Sequence, residues 1–261
     1  MAELKRVLVT GGTQGIGREL VSVLANDGYE VHFTFNRSAS RAREICERFR
    51  GRVFAHQLDQ GCPASIRSAS FLAIESWWGV VFNAGVGSAT VLNHVQQRQM
   101  PEAVDEAMLR INALGPLHLY RLMRPTLLTQ DSVKIVFVSS VGGGVSAFPN
   151  FLLSDGMSKA ALSFLAKQLA VENTHTGIDV FTVCPGATNT AMFEESTLGK
   201  LDAAGRARFV SSLPKRRLIE PSEIADWIRI LMRPGSTVLH GCVIDASAGL
   251  GVRPGILTEA R

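Results

Sequence analysis

Thr10-Gly11-Gly12-Thr13-Gln14-Gly15-Ile16-Gly17 follows a short β-branched run and opens an apolar helical pattern. Glycines let a backbone turn sharply and approach a diphosphate closely. A helix beginning there adds free N–H groups and the positive end of its dipole. Gly11, Thr13, Gln14, Gly15, Ile16 and Gly17 are therefore candidates for a dinucleotide cradle. A tight strand–helix turn is the competing reading, and the strand–turn–helix context favours the cradle. The next strand end decides which dinucleotide fits. An acid there would hold the ribose hydroxyls, but the chain reads Thr34-Phe35-Asn36-Arg37-Ser38. Arg37 can clamp a 2′-phosphate with its planar fork, so NADP(H) is the expected cofactor. Asp59, after the third apolar run, is placed either to contact an adenine edge or to serve as an ordinary turn acid.

The elements that position these residues alternate. Short apolar runs are predicted as strands at Leu4 to Thr10, Glu30 to Phe35, Arg52 to Leu58, Val80 to Phe82, Lys134 to Ser139, Asp179 to Val183 and near Val238 to Ile244. Helical patterns are predicted at about Ile16 to Asn26, Ser40 to Phe49, Glu102 to Arg124 (stopped by Pro125), Met157 to Glu172 and after Pro221. Continuous apolar strands alternating with helices imply an α/β fold. The expected architecture is a single-domain, Rossmann-like, doubly wound parallel sheet with helices on both faces, spanning 1–261. Ligands in such sheets sit at the carboxyl ends of the strands, and the sharp motifs fall there.

Composition sets the outer bounds. The chain has 261 residues, 46% of them hydrophobic, with 24 glycines. Mean hydropathy is +0.15. That excludes disordered, collagen-like and coiled-coil classes. The net charge of +4 is spread along the chain, which fits anionic small molecules and argues against a nucleic-acid footprint. Cys46, Cys62, Cys184 and Cys242 match neither a zinc site nor a disulfide framework, and six histidines show no metal spacing. The expectation is reduced thiols in a cytoplasmic protein with no metal. The uncharged stretch from Ile135 to Ser154 is broken by serines, glycines, Pro149 and Asn150, so it reads as strand plus loop and not as a membrane span.

Several ordered motifs together resemble the short-chain dehydrogenase/reductase family over nearly the whole length. They are Thr10-Gly-x-x-x-Gly-x-Gly17, Leu58-Asp59, Asn83-Ala84-Gly85, Asn112, Val138-Ser139-Ser140, Ser158-Lys159 and Pro185-Gly186 followed by Thr190. Arg217-Leu218…Pro221…Glu223-Ile224-Ala225 and Gly241…Ile244-Asp245 also fit. The resemblance implies an NAD(P)-dependent oxidoreductase. It implies that Ser140 orients the reacting carbonyl, that Lys159 binds the nicotinamide ribose, and that Asn112 holds a water of the proton relay. It implies that Thr190, with Pro185 and Gly186, meets the nicotinamide. Asn83, Ala84 and Gly85 would help hold the adenosine side. A segment at about 187–215 would cover the substrate. Family members usually pair through their two long helices, so a homodimer or homotetramer is expected.

One position departs. The family's tyrosine lies four residues before the lysine, and here that position is Asp155. The only tyrosines are Tyr29 and Tyr120, neither a ready substitute. The spacing from Ser140 to Asp155 is also slightly longer than the family's usual one. A ketone reduced by hydride leaves an alkoxide that must be protonated, and tyrosine is the usual donor. A carboxyl has a reference pKa of about 3.9, and adjacent Lys159 is expected to lower it further. An ionised Asp155 repels an alkoxide and attracts a cation such as an iminium ion, which accepts hydride and needs no proton. Ser154 or Asp155 also fits a helix N-cap, and Asp155 as a mark of lost catalysis is a further reading.

Weaker candidates surround that site. His94 is within reach of the pocket, Glu194 and Glu195 could add negative charge for a cation, and Phe148, Phe151, Leu152 and Phe193 could line an apolar wall. The expected activity is NADPH-dependent reduction of a C=N⁺ or C=O carbon in a small organic substrate, with specialised biosynthesis as the expected setting. The alternatives are an ordinary ketoreductase with a non-tyrosine donor, a cofactor-binding protein without turnover, and a lyase or cyclase on the same scaffold.

Overall fold

Val7, Leu8 and Val9 are fully buried, so the first strand is covered on both faces. The computed structural model describes residues 4–93, 95, 101–148 and 151–252. The strands are β1 (Arg6–Val9), β2 (Glu30–Phe35), β3 (Val53–Gln57), β4 (Gly79–Phe82), β5 (Val133–Val138), β6 (Ile178–Pro185) and β7 (Val243–Ala246). They form one sheet in the order β3-β2-β1-β4-β5-β6-β7, with every neighbouring pair parallel. The strand order reverses between β1 and β4, which opens a ligand crevice at their carboxyl ends.

The helices are α1 (Gly15–Asn26), α2 (Ala39–Arg48), α3 (Pro63–Arg67), α4 (Pro101–Leu109), α5 (Gly115–Leu127), α6 (Val141–Gly144), α7 (Leu153–Glu172), α8 (Ala191–Ser196), α9 (Ala203–Ser212) and α10 (Pro221–Leu231). Leu20, Val21 and Leu24 of α1 and Ile224 and Ile228 of α10 pack with Val7 and Val9 on one face. Leu119 and Met123 of α5 and Leu162 and Leu169 of α7 pack with Leu8 and Val80 on the other. The doubly wound single domain is therefore present as expected. No helix among the described residues is long and apolar enough to cross a membrane.

Three element ends lie farthest from the sequence reading. Pro125 lies inside α5, which runs on to Leu127 because that side chain is fully buried in the core. Val238 belongs to a 3₁₀ turn, Pro234–Leu239, and β7 begins only at Val243. The turn is tied to the start of β6 by the Thr237 hydroxyl, which donates to Asp179 at 2.7 Å. Most consequential, α7 begins at Leu153 and not near Met157, so Asp155 lies in its first turn. The N-cap is Leu152, without a side-chain bond, which overturns the cap reading of Ser154 and Asp155.

At the far edge, two imidazoles share one hydrogen bond. His32 Nδ1 and His56 Nε2 are 2.9 Å apart, His32 Nε2 bonds Glu30 at 3.1 Å, and His56 Nδ1 bonds Ser70 at 3.0 Å. Burial, and then the neighbouring His32, push His56 down to about 4. Burial also lowers His32, against the pull of Glu30. A folded pKa below the unfolded one means stability is full above pH 6.5 and is lost as pH falls toward 4. Across that window His56 should cost roughly 2 kcal/mol, after allowance for its partial exposure. Urea unfolding of His56→Gln should show a shallower loss over the same window, and an unchanged pH slope would rule this network out as its source.

Candidate functional site

The crevice is built by a clasp between the ends of β1 and β4. The Thr10 hydroxyl accepts the N–H groups of Asn83 and Ala84, both at 2.9 Å. In return Asn83 Nδ2 donates to the carbonyls of Thr10 at 3.0 Å and Gly11 at 3.2 Å. Gly11 and Gly15 have φ of 72° and 52°, in the left-handed region that favours glycine. A Cβ at Gly17 would lie 2.2 Å from the Gly11 carbonyl oxygen. These three positions therefore favour glycine. α1 then starts at Gly15 with Gln14 as an N-cap whose side chain does not bond the helix's N–H groups, and with no acid in its first turn. Its first N–H groups are free for an anion.

A cavity of about 360 Å³ opens at this helix end, lined by Thr13, Gln14, Gly15, Arg18, Arg41 and Thr190 among others. Thr190, on the loop beyond β6, reaches within 3.1 Å of a Cβ position at Gly15. The structure thus brings Pro185, Gly186 and Thr190 to the same rim as the glycine turn. Arg37 is exposed at the end of β2 and joins no ion pair among the described residues. Arg18 and Arg41 were not singled out from the sequence. Arg41 lies one helical turn past Arg37, a spacing that could have revealed it, and its Nη1 donates to Gln14 Oε1 at 3.2 Å. Asp59 Oδ1 accepts the Gly61 N–H at 2.9 Å, so the turn-acid role is realised.

Across the crevice, Asn112 is 1% exposed on a π-turn, Arg110–Leu114, between α4 and α5. Its Oδ1 accepts the Val86 N–H at 2.8 Å, and its Nδ2 donates to the Val86 carbonyl at 2.9 Å and to Ser158 Oγ at 3.1 Å. Ser158 Oγ in turn donates to the Asp155 carbonyl at 2.8 Å. Asn112 therefore ties the loop after β4 to the start of α7. A Cβ at Gly85 would sit 3.4 Å from Lys159 Nζ, so this glycine makes room for the lysine. Ser139 is consumed by structure, donating to the Lys159 carbonyl at 2.8 Å and accepting from Ser163 at 2.9 Å. Ser140 caps α6, its Oγ accepting the Gly142 N–H at 3.2 Å, and it is only partly buried.

Asp155 is 9% exposed. Burial raises its carboxyl above the ordinary value, and the Lys159 charge opposes that rise. The expectation that Lys159 would hold Asp155 below its reference is corrected, because burial is the larger effect. Burial likewise lowers Lys159, against the pull of Asp155. Both tyrosines are elsewhere. Tyr29 donates to the Met232 carbonyl at 3.4 Å, and buried Tyr120 accepts from Asn173 at 3.4 Å. Phe151 packs at 3.1 Å from a Cβ position on Gly142, beside this site. Leu152 packs with the cluster of Val86, Val91 and Met108.

The segment after Thr190 reaches back across the rim, with Met192 Cγ 2.9 Å from a Cβ position at Gly87. Glu194 is not a free counter-charge, since Arg206 grips it through two bonds of 2.8 Å. Phe193 packs against Phe209 with ring centres 6.0 Å apart. His94 lies outside the described residues.

A model of the family "short chain dehydrogenase" matches residues 5–200. The chain belongs to this family of oxidoreductases. It is 27% identical over 249 residues to the uncharacterised oxidoreductase YmfI of Bacillus subtilis, covering 94% of this chain and 98% of that protein. It is 26% identical over 247 residues to a tropinone reductase homologue of Datura stramonium, covering 94% and 91%. The fold also superposes on an actinorhodin polyketide ketoreductase solved with NADPH, with a TM-score of 0.83, 24% identity and coverage of 96% and 99%.

The glycine geometry makes a direct prediction. Gly17→Ala should force the Gly11 carbonyl aside and cost roughly 1–3 kcal/mol of stability. Thermal unfolding checks this, and an unchanged melting temperature would mean that the turn relaxes freely.

Proposed function

We propose that the chain is an NADPH-dependent reductase that acts on a small substrate with a positively charged C=N⁺ carbon. The observation that carries this reading is buried Asp155 one helical turn before Lys159 on α7, where no tyrosine is in reach. When bound, the cofactor supplies a hydride. The bare turn at Gly11, Gly15 and Gly17 and the free N–H groups of α1 hold its diphosphate. Arg37 takes the 2′-phosphate, and Asp59 uses what remains of its carboxylate at the adenine edge. Thr190, Pro185 and Gly186 hold the nicotinamide end, and Lys159 the adjoining ribose.

The chain's own residues then sort the substrate. An ionised Asp155 attracts the cation and offsets its charge in a water-poor cleft. Ser140 orients the reacting group, and Phe151 supplies an apolar wall. Hydride addition to an iminium carbon yields a neutral amine, so no proton donor is needed. The segment at about 187–215 covers the substrate. One observation favours a second reading. Burial raises Asp155, and a protonated Asp155 could instead donate to the alkoxide formed from a ketone. Assembly as a homodimer or homotetramer is supported by Leu153, Met157, Phe164 and Val171, which are exposed on one stripe of α7.

Fluorescence titration should show NADPH binding at least about tenfold tighter than NADH, and Arg37→Asp should erase that difference. Retained NADPH selectivity in the variant would remove Arg37 from the site. Asp155→Asn should cut turnover of a cyclic iminium substrate about 100-fold while leaving NADPH affinity nearly unchanged. The pH profile separates the two readings. As a counter-charge, Asp155 makes kcat/KM rise with pH while it ionises; as a donor, it makes kcat/KM fall over the same limb.

A further inference from the structure

Pro116 has no N–H, and its position leaves a helix carbonyl without a partner. In the π-turn the Gly115 N–H bonds the Arg110 carbonyl, five residues back. The same pattern one residue on would give the Ile111 carbonyl the N–H of residue 116, which does not exist. A side chain from the far side of the crevice fills the gap. Gln60 Nε2 donates to the Ile111 carbonyl at 2.9 Å and to the Ala84 carbonyl at 3.1 Å. Gln60 is 6% exposed. The helix makes room for it, since a Cβ at Gly115 would lie 2.5 Å from Gln60 Cγ. The orientation of the amide is fixed by chemistry. Turning it over would face its oxygen toward two carbonyl oxygens, even though Oε1 is left buried without a partner as it stands.

We infer that Gln60 is a positioning residue for the reductase site, an inference that rests on the function proposed above. It locks the π-turn to the loop that leaves β4. The adjacent residue on that turn is Asn112, whose amide bonds Val86 and Ser158, and Ser158 bonds Asp155. Gln60 also follows Asp59 at the end of β3. One amide therefore joins the adenosine side of the crevice to the helix that carries Asp155 and Lys159. Losing it frees the π-turn and, through Asn112, the Lys159 end of the site, while the glycine turn keeps its own clasp.

The test uses the full chain with Gln60→Met, which keeps the length and removes the donor. Amide hydrogen exchange should quicken by about tenfold in residues 110–116 and 153–159. NADPH should bind about tenfold more weakly, whereas 2′,5′-ADP, which carries only the adenosine half, should bind within about threefold of wild type. Adding Pro116→Ala restores an N–H to the helix and should recover both exchange protection and NADPH affinity. Wild-type exchange and affinity in Gln60→Met would overturn the inference. So would equal losses for NADPH and 2′,5′-ADP without rescue by Pro116→Ala, which would make Gln60 a packing residue. If wild-type chain binds neither ligand, the reductase reading itself fails, and the inference with it.

Discussion

The rim of the molecule depends on the clasp between the ends of β1 and β4. Strand order reverses there, so these two chain exits diverge to opposite faces of the sheet. Without a tie the crevice between them would have no fixed floor. Thr10 and Asn83 supply four bonds across it, each between a side chain and a backbone group beyond the sheet ladder. Each such bond is worth only about 1 kcal/mol net, but a buried carbonyl left unpaired costs more. The glycines at 11 and 17 follow from that geometry, because the clasp draws backbone onto backbone with no space for a Cβ.

Much of this was legible in the residues, because the signals are local. β2 occupies Glu30–Phe35, the span expected from its apolar run. The glycine spacing located the turn, and the absent acid beside Arg37 marked the strand end. What was not legible depends on long-range contacts. The capture of Glu194 by Arg206 needs the fold of the covering segment. The place of Gln60 needs β3, β4 and α5 brought together. The start of α7 at Leu153 was hidden because Ser154-Asp155-Gly156 carries strong cap chemistry, yet burial of Ser154 and Asp155 against the crevice draws them into the helix itself.

Asp155 shows how competing electrostatic effects must be weighed with geometry. From the sequence, the nearby lysine dominates. In the fold, desolvation acts on both partners, raising the acid and lowering the base. Each group's attraction for the other's charge opposes that effect. A tyrosine at this position would offer a neutral donor. A carboxyl offers a charge, and the proposed function rests on that difference.

The measurement that tests this account most directly is the titration of the Asp155 carboxyl carbon by NMR, with NADP⁺ bound. The account predicts a carboxylate at neutral pH, held beside a protonated Lys159. A carboxyl that stays protonated at neutral pH would contradict charge pairing with a cationic substrate and leave Asp155 as a proton donor.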